Sequence, residues 1–245
     1  MNIEELENKI INTDCMDILK QLPDKCIDLV LTDPPYLYNE TDNGGGGMLE
    51  RRKYTQEIIT KLGGEKGLDK GIDIKNILTI LKNKFKKGFN GVFFCNQNQL
   101  LDYILFAKEN DYRFNVCIWH KLNPAPLCNN KYLDDIEFIV NIKSNDYLIM
   151  GDYNTKSRVF ESSVNKKDKE LYNHPTIKPE KLVEKFLINH SNKNDLVLDC
   201  FSGSGTTAIA CHKLKRRFIC IEKDKDYYEA SVKRLEEEQR QLDMF

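Results

Sequence analysis

The segment Leu196-Val197-Leu198-Asp199-Cys200-Phe201-Ser202-Gly203-Ser204-Gly205-Thr206-Thr207 constrains the fold of this chain more than any other. It reads as a buried strand, a glycine-rich turn and the start of a helix. In a parallel α/β sheet that order of elements opens a crevice at the carboxyl ends of the strands. Glycine lets backbone come close to a ligand, and the first turn of the helix presents N–H groups with no partner inside the helix. Glu222 ends the next strand, where an acid can accept hydrogen bonds from both hydroxyls of a ribose.

Turn plus acid describes a nucleoside-containing ligand. A dinucleotide site would carry Gly-x-Gly-x-x-Gly, but Ala208 stands where the third glycine belongs. A P-loop would place a lysine after Gly205, and Thr206-Thr207 follow instead. A small-residue turn without a phosphate lysine suits S-adenosylmethionine, whose amino-acid end carries a carboxylate and no phosphate. Taken alone, the turn is equally consistent with a tight strand-to-helix connection packed for its own sake.

The rest of the chain repeats the alternation of short apolar runs with helix-period segments, the pattern of a largely parallel, doubly wound sheet with an antiparallel edge. Strands are expected at 27–32, 91–95, 113–119, 135–143, 196–199 and 218–221. Asp73 reads as an N-cap for a helix with Ile74, Ile77, Leu78, Leu81 and Phe85 on its apolar face. Asn96 and Gln99 form a capping box for a helix whose expected stripe is Leu100, Leu101, Ile104 and Leu105. Pro179 fits the first position of a helix carrying Leu182, Val183, Phe186 and Leu187. Further helices are expected over Thr206–Lys213 and from Lys225 to Gln241, with a frayed tail at 242–245. At 245 residues one catalytic domain fits. Two stretches match no regular element: a Gly-rich insert at about 39–71, read as a mobile loop or lid, and a polar segment at about 144–173.

Composition narrows the class. A formal net charge of −1 excludes nucleic-acid binding through bulk positive charge while leaving room for a local basic groove. None of the eight cysteines forms a Cys-x-x-Cys pair, and no His lies at metal-ligand spacing from them, so no metal site is expected and the thiols read as small hydrophobes. No signal peptide and no apolar run of about 20 residues marks the chain for export or a membrane, and a reduced, cytoplasmic protein is expected.

The tetrapeptide Asp33-Pro34-Pro35-Tyr36 stands at the carboxyl end of the first long strand. Two prolines stiffen it and remove two donors, which many rigid turns also do. Its flanks point to chemistry. Asp33 offers an acceptor, the carbonyl joining the prolines another, and Tyr36 an aromatic face. The exocyclic nitrogen of adenine or cytosine is a poor nucleophile because its lone pair is delocalised into the ring. Two fixed acceptors holding its hydrogens would draw it toward tetrahedral geometry, and Asp33 would stabilise the positive charge that develops on methylation. A base inside a duplex is out of reach and must be flipped out, where Tyr36 could stack on it.

These residues together resemble the β-class amino-methyltransferases of DNA, especially small bacterial adenine-N6 modification enzymes. The resemblance covers nearly the whole chain in the family's permuted order, the catalytic motif preceding the cofactor turn. Asn12 to Met16 resembles the segment that meets the cofactor's adenine, with Asp14 and Cys15 as contacts. Trp119-His120-Lys121-Leu122-Asn123-Pro124 with Pro126 is similar to the loop that holds the flipped base, which gives Asn123 and Pro124 a substrate role beside Tyr36. His174-Pro175-Thr176-Ile177-Lys178-Pro179 is similar to the motif lining the methionine end, with Lys178 at the cofactor carboxylate. Asp199, Phe201, Gly203, Ser204, Gly205, Thr206 and Thr207 match the turn, and Asp33 and Glu222 complete the cofactor set.

The resemblance implies a Rossmann-like fold, S-adenosylmethionine as cofactor, DNA as substrate, a homodimer, and a cognate restriction endonuclease or specificity partner. Cys200 departs from the family's usual proline and Ile177 from its usual polar residue; 144–173 is short for a target-recognition segment. An aspartate at the head of the tetrapeptide favours adenine over cytosine-N4. RNA methylation and a non-catalytic DNA-binding subunit are the other readings, and intact Asp33, Gly203 and Gly205 weigh against the last.

Overall fold

The computed structural model describes residues 2–36, 72–124, 132–164 and 177–242. The Gly-rich insert at 39–71, Pro126, Cys128, the part of the polar segment after 164, His174 to Thr176 and the last three residues lie outside them. In chain order the elements are β1 (Lys9–Asn12), α1 (Cys15–Gln21), β2 (Leu29–Thr32), α2 (Ile74–Leu81), β3 (Asn90–Cys95), α3 (Gln97–Glu109), β4 (Arg113–Lys121), β5 (Ile136–Lys143), β6 (Val159–Ser162), α4 (Glu180–His190), β7 (Leu196–Asp199), α5 (Thr206–Lys213), β8 (Arg217–Glu222) and α6 (Lys225–Leu242).

The strands form one sheet in the order β1-β8-β7-β2-β3-β5-β4-β6. Every pairing is parallel except the two made by β5, which runs against both β3 and β4. The reversed strand is therefore internal to its side of the sheet, and parallel β6 forms the outer edge. β2, β3 and β7 are buried along their whole length, as strands covered on both faces must be.

Successive side chains divide between two cores with the period of two that a strand imposes. Val30, Phe93, Leu198 and Ile219 face Leu19, Leu78 and Phe106 from α1, α2 and α3. Leu29, Leu31, Val92 and Val197 face Leu187, Ile209 and Leu235 from α4, α5 and α6. Three helices on each face complete the doubly wound arrangement.

Most helix signals place their elements well. Asp73 accepts from Asn76 N and caps α2, although the helix stops before Phe85, which is buried beyond it. The Asn96–Gln99 capping box is formed. Pro179 occupies the N-cap position and α4 begins one residue later. The stripe of α3 differs from the expected one: its buried residues are Gln99, Tyr103, Phe106 and Ala107, while Leu101 and Leu105 are 60% and 44% exposed. Two overlapping 3.6-period stripes compete on this helix, and aromatic packing chooses between them. Tyr103 stacks on Phe93 at 5.1 Å between centroids, and Phe106 packs at a tilt against Phe89 at 5.5 Å. Within 144–173 the structure also holds a strand, β6, which pairs with β4. β4 runs on through Lys121, so Trp119, His120 and Lys121 belong to a strand and the connecting loop begins at Leu122.

Candidate active site

The carboxyl ends of β1, β8, β7, β2 and β3 lie side by side along one rim of the sheet. The turn Phe201 to Gly205 follows β7 and the tetrapeptide follows β2, so sheet order brings together segments far apart in the chain. A direct bond joins them: Thr32 Oγ1 donates to Asp199 Oδ1 at 2.7 Å and accepts from Cys200 N at 3.1 Å. Asp199 Oδ1 also accepts from Phe201 N at 3.1 Å. Burial pushes the Asp199 carboxyl up to about 6 against those hydrogen bonds.

Backbone geometry explains the glycines. Gly203 and Gly205 have φ of 50° and 78°, in the left-handed region that glycine enters without penalty. Gly205 has a second reason: a Cβ there would lie 3.0 Å from Ser231 Cβ on α6. Its missing side chain is thus used for helix packing, whereas close approach of a ligand was the expected use. Arg234 of α6 reaches the turn from behind and donates to the Ser204 carbonyl at 3.0 Å and to Thr206 Oγ1 at 3.1 Å. Ser204, Thr206 and Thr207 are all buried.

Glu222 bonds the turn to the end of β8. Its Oε2 accepts from Gly203 N at 2.7 Å and its Oε1 from Asp224 N at 2.8 Å. Burial raises its pKa, and those two N–H groups only partly offset the rise. Pairing of β1 with β8 brings Asp14 alongside, where it caps α1 through Met16 N and meets Lys223 Nζ at 3.0 Å. The Met16 N–H, with Lys223, holds the Asp14 carboxyl below its usual value. Cys15 is buried beneath, and burial pushes its thiol up to about 12.

The tetrapeptide is held from two sides. Gln99 Nε2, fully buried on α3, donates to the Pro35 carbonyl at 2.9 Å. Lys178 Nζ reaches Asp33 Oδ2 and Glu137 Oε1, both at 2.6 Å, and donates to the Tyr36 hydroxyl at 3.2 Å. That hydroxyl donates in turn to Glu137 Oε1 at 2.5 Å. Lys178 also lies 5.3 Å from the Tyr36 ring centroid and 5.1 Å from that of Phe94. Lys121 Nζ stands 3.4 Å from Glu137 Oε2. Asp33 Oδ1 is buried and has no hydrogen-bond partner among the described residues.

Charge sharing in this cluster is unequal. Burial raises the Asp33 pKa; Lys178 pulls it down and Glu137 pushes it up again. Burial also opposes the Glu137 charge, but Lys178 and Lys121 overcome it and hold that carboxyl below its ordinary value. Burial opposes the Lys178 charge too, and the two carboxylates outweigh it, so the ammonium persists well into alkaline pH.

The structure therefore brings Asp33, Pro34, Pro35, Tyr36 and Lys178 into one cluster, and Asp14, Cys15, Asp199, Phe201, Gly203, Ser204, Gly205, Thr206, Thr207 and Glu222 into the adjoining one. Asn123 is exposed and both ends of its amide are engaged with Val164: its Oδ1 accepts from Val164 N at 2.5 Å and its Nδ2 donates to Val164 O at 3.3 Å. Pro124 follows it at the end of the described segment. Glu137 and Thr32 belong to no motif in the sequence, and Gln99 is legible there only as half of a capping box, not as a partner of Pro35. The one hint of Glu137 is an acid inside the apolar run of β5, where it is 8% exposed.

Comparison with known proteins agrees with this geometry. A family model described as DNA methylase, of the N6/N4 class, matches residues 27–233. The type II methyltransferase M2.LlaDCHI of Lactococcus lactis subsp. cremoris is 28% identical, with 94% of this chain and 90% of that protein aligned. M2.DpnII of Streptococcus pneumoniae has the same identity and the same coverage. The crystal structure of the M1.HpyAVI–SAM complex superposes with a TM-score of 0.64 at 27% identity, covering 93% of this chain and 99% of that one. With the family model spanning both the tetrapeptide and the glycine turn, the chain belongs to the N6/N4 DNA methylase family.

Proposed function

We propose that this enzyme transfers a methyl group from S-adenosylmethionine to the N6 amino group of adenine in DNA, directly and after the base is flipped out of the duplex. The observation that carries the reading is Asp33. Lys178 holds its Oδ2, while its Oδ1 is buried and unpartnered at the end of β2. An orphaned carboxylate oxygen is costly unless a ligand completes it, and an amino hydrogen of the target base supplies that partner. No described residue donates to the Pro34 carbonyl, so a second acceptor stands ready for the other hydrogen. Asp33 is also the natural recipient of the proton the nitrogen must lose once methylated, since its pKa is raised by burial. The Tyr36 ring, anchored through its hydroxyl, is the stacking face for the base.

The adjoining cluster fits the cofactor. Glu222 lies beside Gly203 for a ribose, Ser202 Oγ is buried with no partner among the described residues, and the turn has no phosphate lysine. Asp14, Cys15, Asp33, Asp199, Phe201, Gly203, Ser204, Gly205, Thr206, Thr207 and Glu222 would hold it. Lys178 is assigned to the acceptor side on the strength of its contact with Asp33. S-adenosylmethionine supplies an electrophilic methyl group on a sulfonium centre. Asn123 and Pro124 complete the substrate side by resemblance alone. A homodimer and a cognate endonuclease belong to the same reading, since relatives of similar length are type II methyltransferases. Light scattering tests the first, and an activity screen of neighbouring genes the second.

The decisive experiment expresses the wild type beside Asp33→Asn and reads the cellular DNA by methylation-aware sequencing and nucleoside mass spectrometry. N6-methyladenine at a defined site with the first and none with the second is expected. N4-methylcytosine would overturn the adenine assignment, and a mark that persists in Asp33→Asn would overturn the role of Asp33.

A further inference from the structure

Glu137 stands on β5, the one reversed strand, and no motif of the tetrapeptide or the turn includes it. An ammonium has three N–H donors. Those of Lys178 meet Asp33 Oδ2, Glu137 Oε1 and the Tyr36 hydroxyl, which leaves no donor over for another group. Two of these three acceptors depend on Glu137: its own oxygen, and the hydroxyl that it orients by accepting from it. Without that carboxylate Lys178 would lose one of its two carboxylate partners, and the Tyr36 hydroxyl would lose its acceptor at 2.5 Å.

We infer that Glu137 is a positioning residue for methyl transfer: it fixes Lys178 and Tyr36 against Asp33 and so sets the orientation and charge of the acceptor carboxylate. The inference rests on the reading that Asp33 receives the amino hydrogen. Burying one cation between two acids costs desolvation of all three, and removing one member leaves the rest mismatched. The geometry uses that mismatch. Glu137 satisfies Lys178 permanently, so Asp33 keeps one oxygen free while still facing a cation.

Charge around Asp33 comes from every side of the cluster. Lys178 precedes α4, Glu137 lies on β5 with Lys121 of β4 behind it, Tyr36 follows β2, Tyr103 is on α3, Cys95 ends β3 and Asp199 ends β7. Glu137→Gln removes a negative charge and keeps a hydrogen-bond acceptor. Asp33 should then ionise at lower pH. Lys121→Met removes a positive charge that faces Glu137, so Asp33 should ionise at higher pH.

The test is single-turnover methyl transfer at saturating DNA and S-adenosylmethionine, followed across pH for the wild type, Glu137→Gln and Lys121→Met. Glu137→Gln is expected to slow transfer roughly tenfold or more and to move the acid limb down by about one pH unit. Lys121→Met should move the limb up by a smaller amount. Cofactor affinity by calorimetry should change less than about threefold in both. A Glu137→Gln rate that falls with an unmoved limb would reduce Glu137 to a structural residue and overturn the inference. If Glu137→Gln does not fold, Lys121→Met decides alone: an upward shift supports the inference and a fixed limb overturns it. Activity surviving in Asp33→Asn would instead break the underlying reading, whatever the limbs do.

Discussion

The two sides of the sheet are built by different means. On the β1-β8-β7 side, positions are set mainly by backbone: parallel strands in register, a glycine turn with two positive φ values, and carboxylates that accept main-chain N–H groups. On the β3-β5-β4 side, the tetrapeptide is held by side chains: Gln99 at the Pro35 carbonyl, the buried Lys178 at Asp33 and Tyr36, and Glu137, backed by Lys121, at Lys178 and Tyr36. Backbone-built geometry tolerates change in the side chains it carries, because the chain path survives. Side-chain-built geometry fails when any member is lost, because the remaining charges stay buried and unpaired. On the reading proposed above, the difference separates a rigid holder of one reactant from a charge-tuned holder of the other.

The sharpest way to break this comparison is at Asp33. Asp33→Asn should lower the single-turnover rate by about 10²–10³-fold, the usual cost of removing one group that stabilises developing charge. Calorimetry should show cofactor still bound. A mutant that binds cofactor poorly but turns over normally when saturated would place Asp33 in the backbone-built half. Next in size is Tyr103→Ala, which removes a fully buried ring stacked on Phe93 and should cost about 3–5 kcal/mol in denaturant unfolding. Leu105→Ser, two residues along and on the opposite, exposed face, should stay within about 0.5 kcal/mol. Equal effects would contradict the packing stripe seen on α3.

Gly205→Ala is the matching test of the turn. A left-handed φ and a Cβ at 3.0 Å from Ser231 should together cost roughly 1–3 kcal/mol in thermal unfolding. Rescue by Ser231→Gly would show that helix packing is the cause. Last, and of opposite sign, is Asp199→Asn. Because burial raises this carboxyl from 3.8 to about 6, the folded form holds its proton more tightly than the unfolded chain. The stabilisation from that proton is full below about pH 4 and is lost as pH rises through about 6. At pH 7 the neutral variant, whose amide oxygen can still accept from Thr32 and Phe201, should match the wild type or exceed it by up to about 3 kcal/mol. The advantage should vanish near pH 4. A variant that is less stable at every pH would show that the charged carboxylate is needed for the turn.

The same division governs what can be read in the residue string. β7, the turn, α5, β8 and α6 are nearly all legible, since each rests on local signals: an apolar run, glycines at positions needing positive φ, helical periodicity. The tetrapeptide is legible for a similar reason, its prolines marking a stiff strand end. The α3 stripe is not, because two stripes satisfy the same period and only Phe93 and Phe89 across the sheet decide between them. Nor is β6, a short strand that exists because β4 offers it an edge. Glu137 is hidden most thoroughly. Its partners sit at 36, 121 and 178, and nothing within a few residues of it announces them. Lys178 was legible as a site residue, but its contacts with Asp33 and Glu137 come from tertiary structure alone.

The bond from Thr32 to Asp199 has a consequence for a chain still being made. A ribosome delivers residues 33–36 early, yet their strand acquires its β7 neighbour only when residue 199 has emerged. Lys178 arrives late as well. A nascent or prematurely terminated product therefore carries the tetrapeptide without the β7 strand beside it or the Lys178 ammonium that pairs with Asp33. On the proposed reading, a chain halted before residue 178 could not mark DNA, since neither Lys178 nor the β7 neighbour of β2 would yet exist.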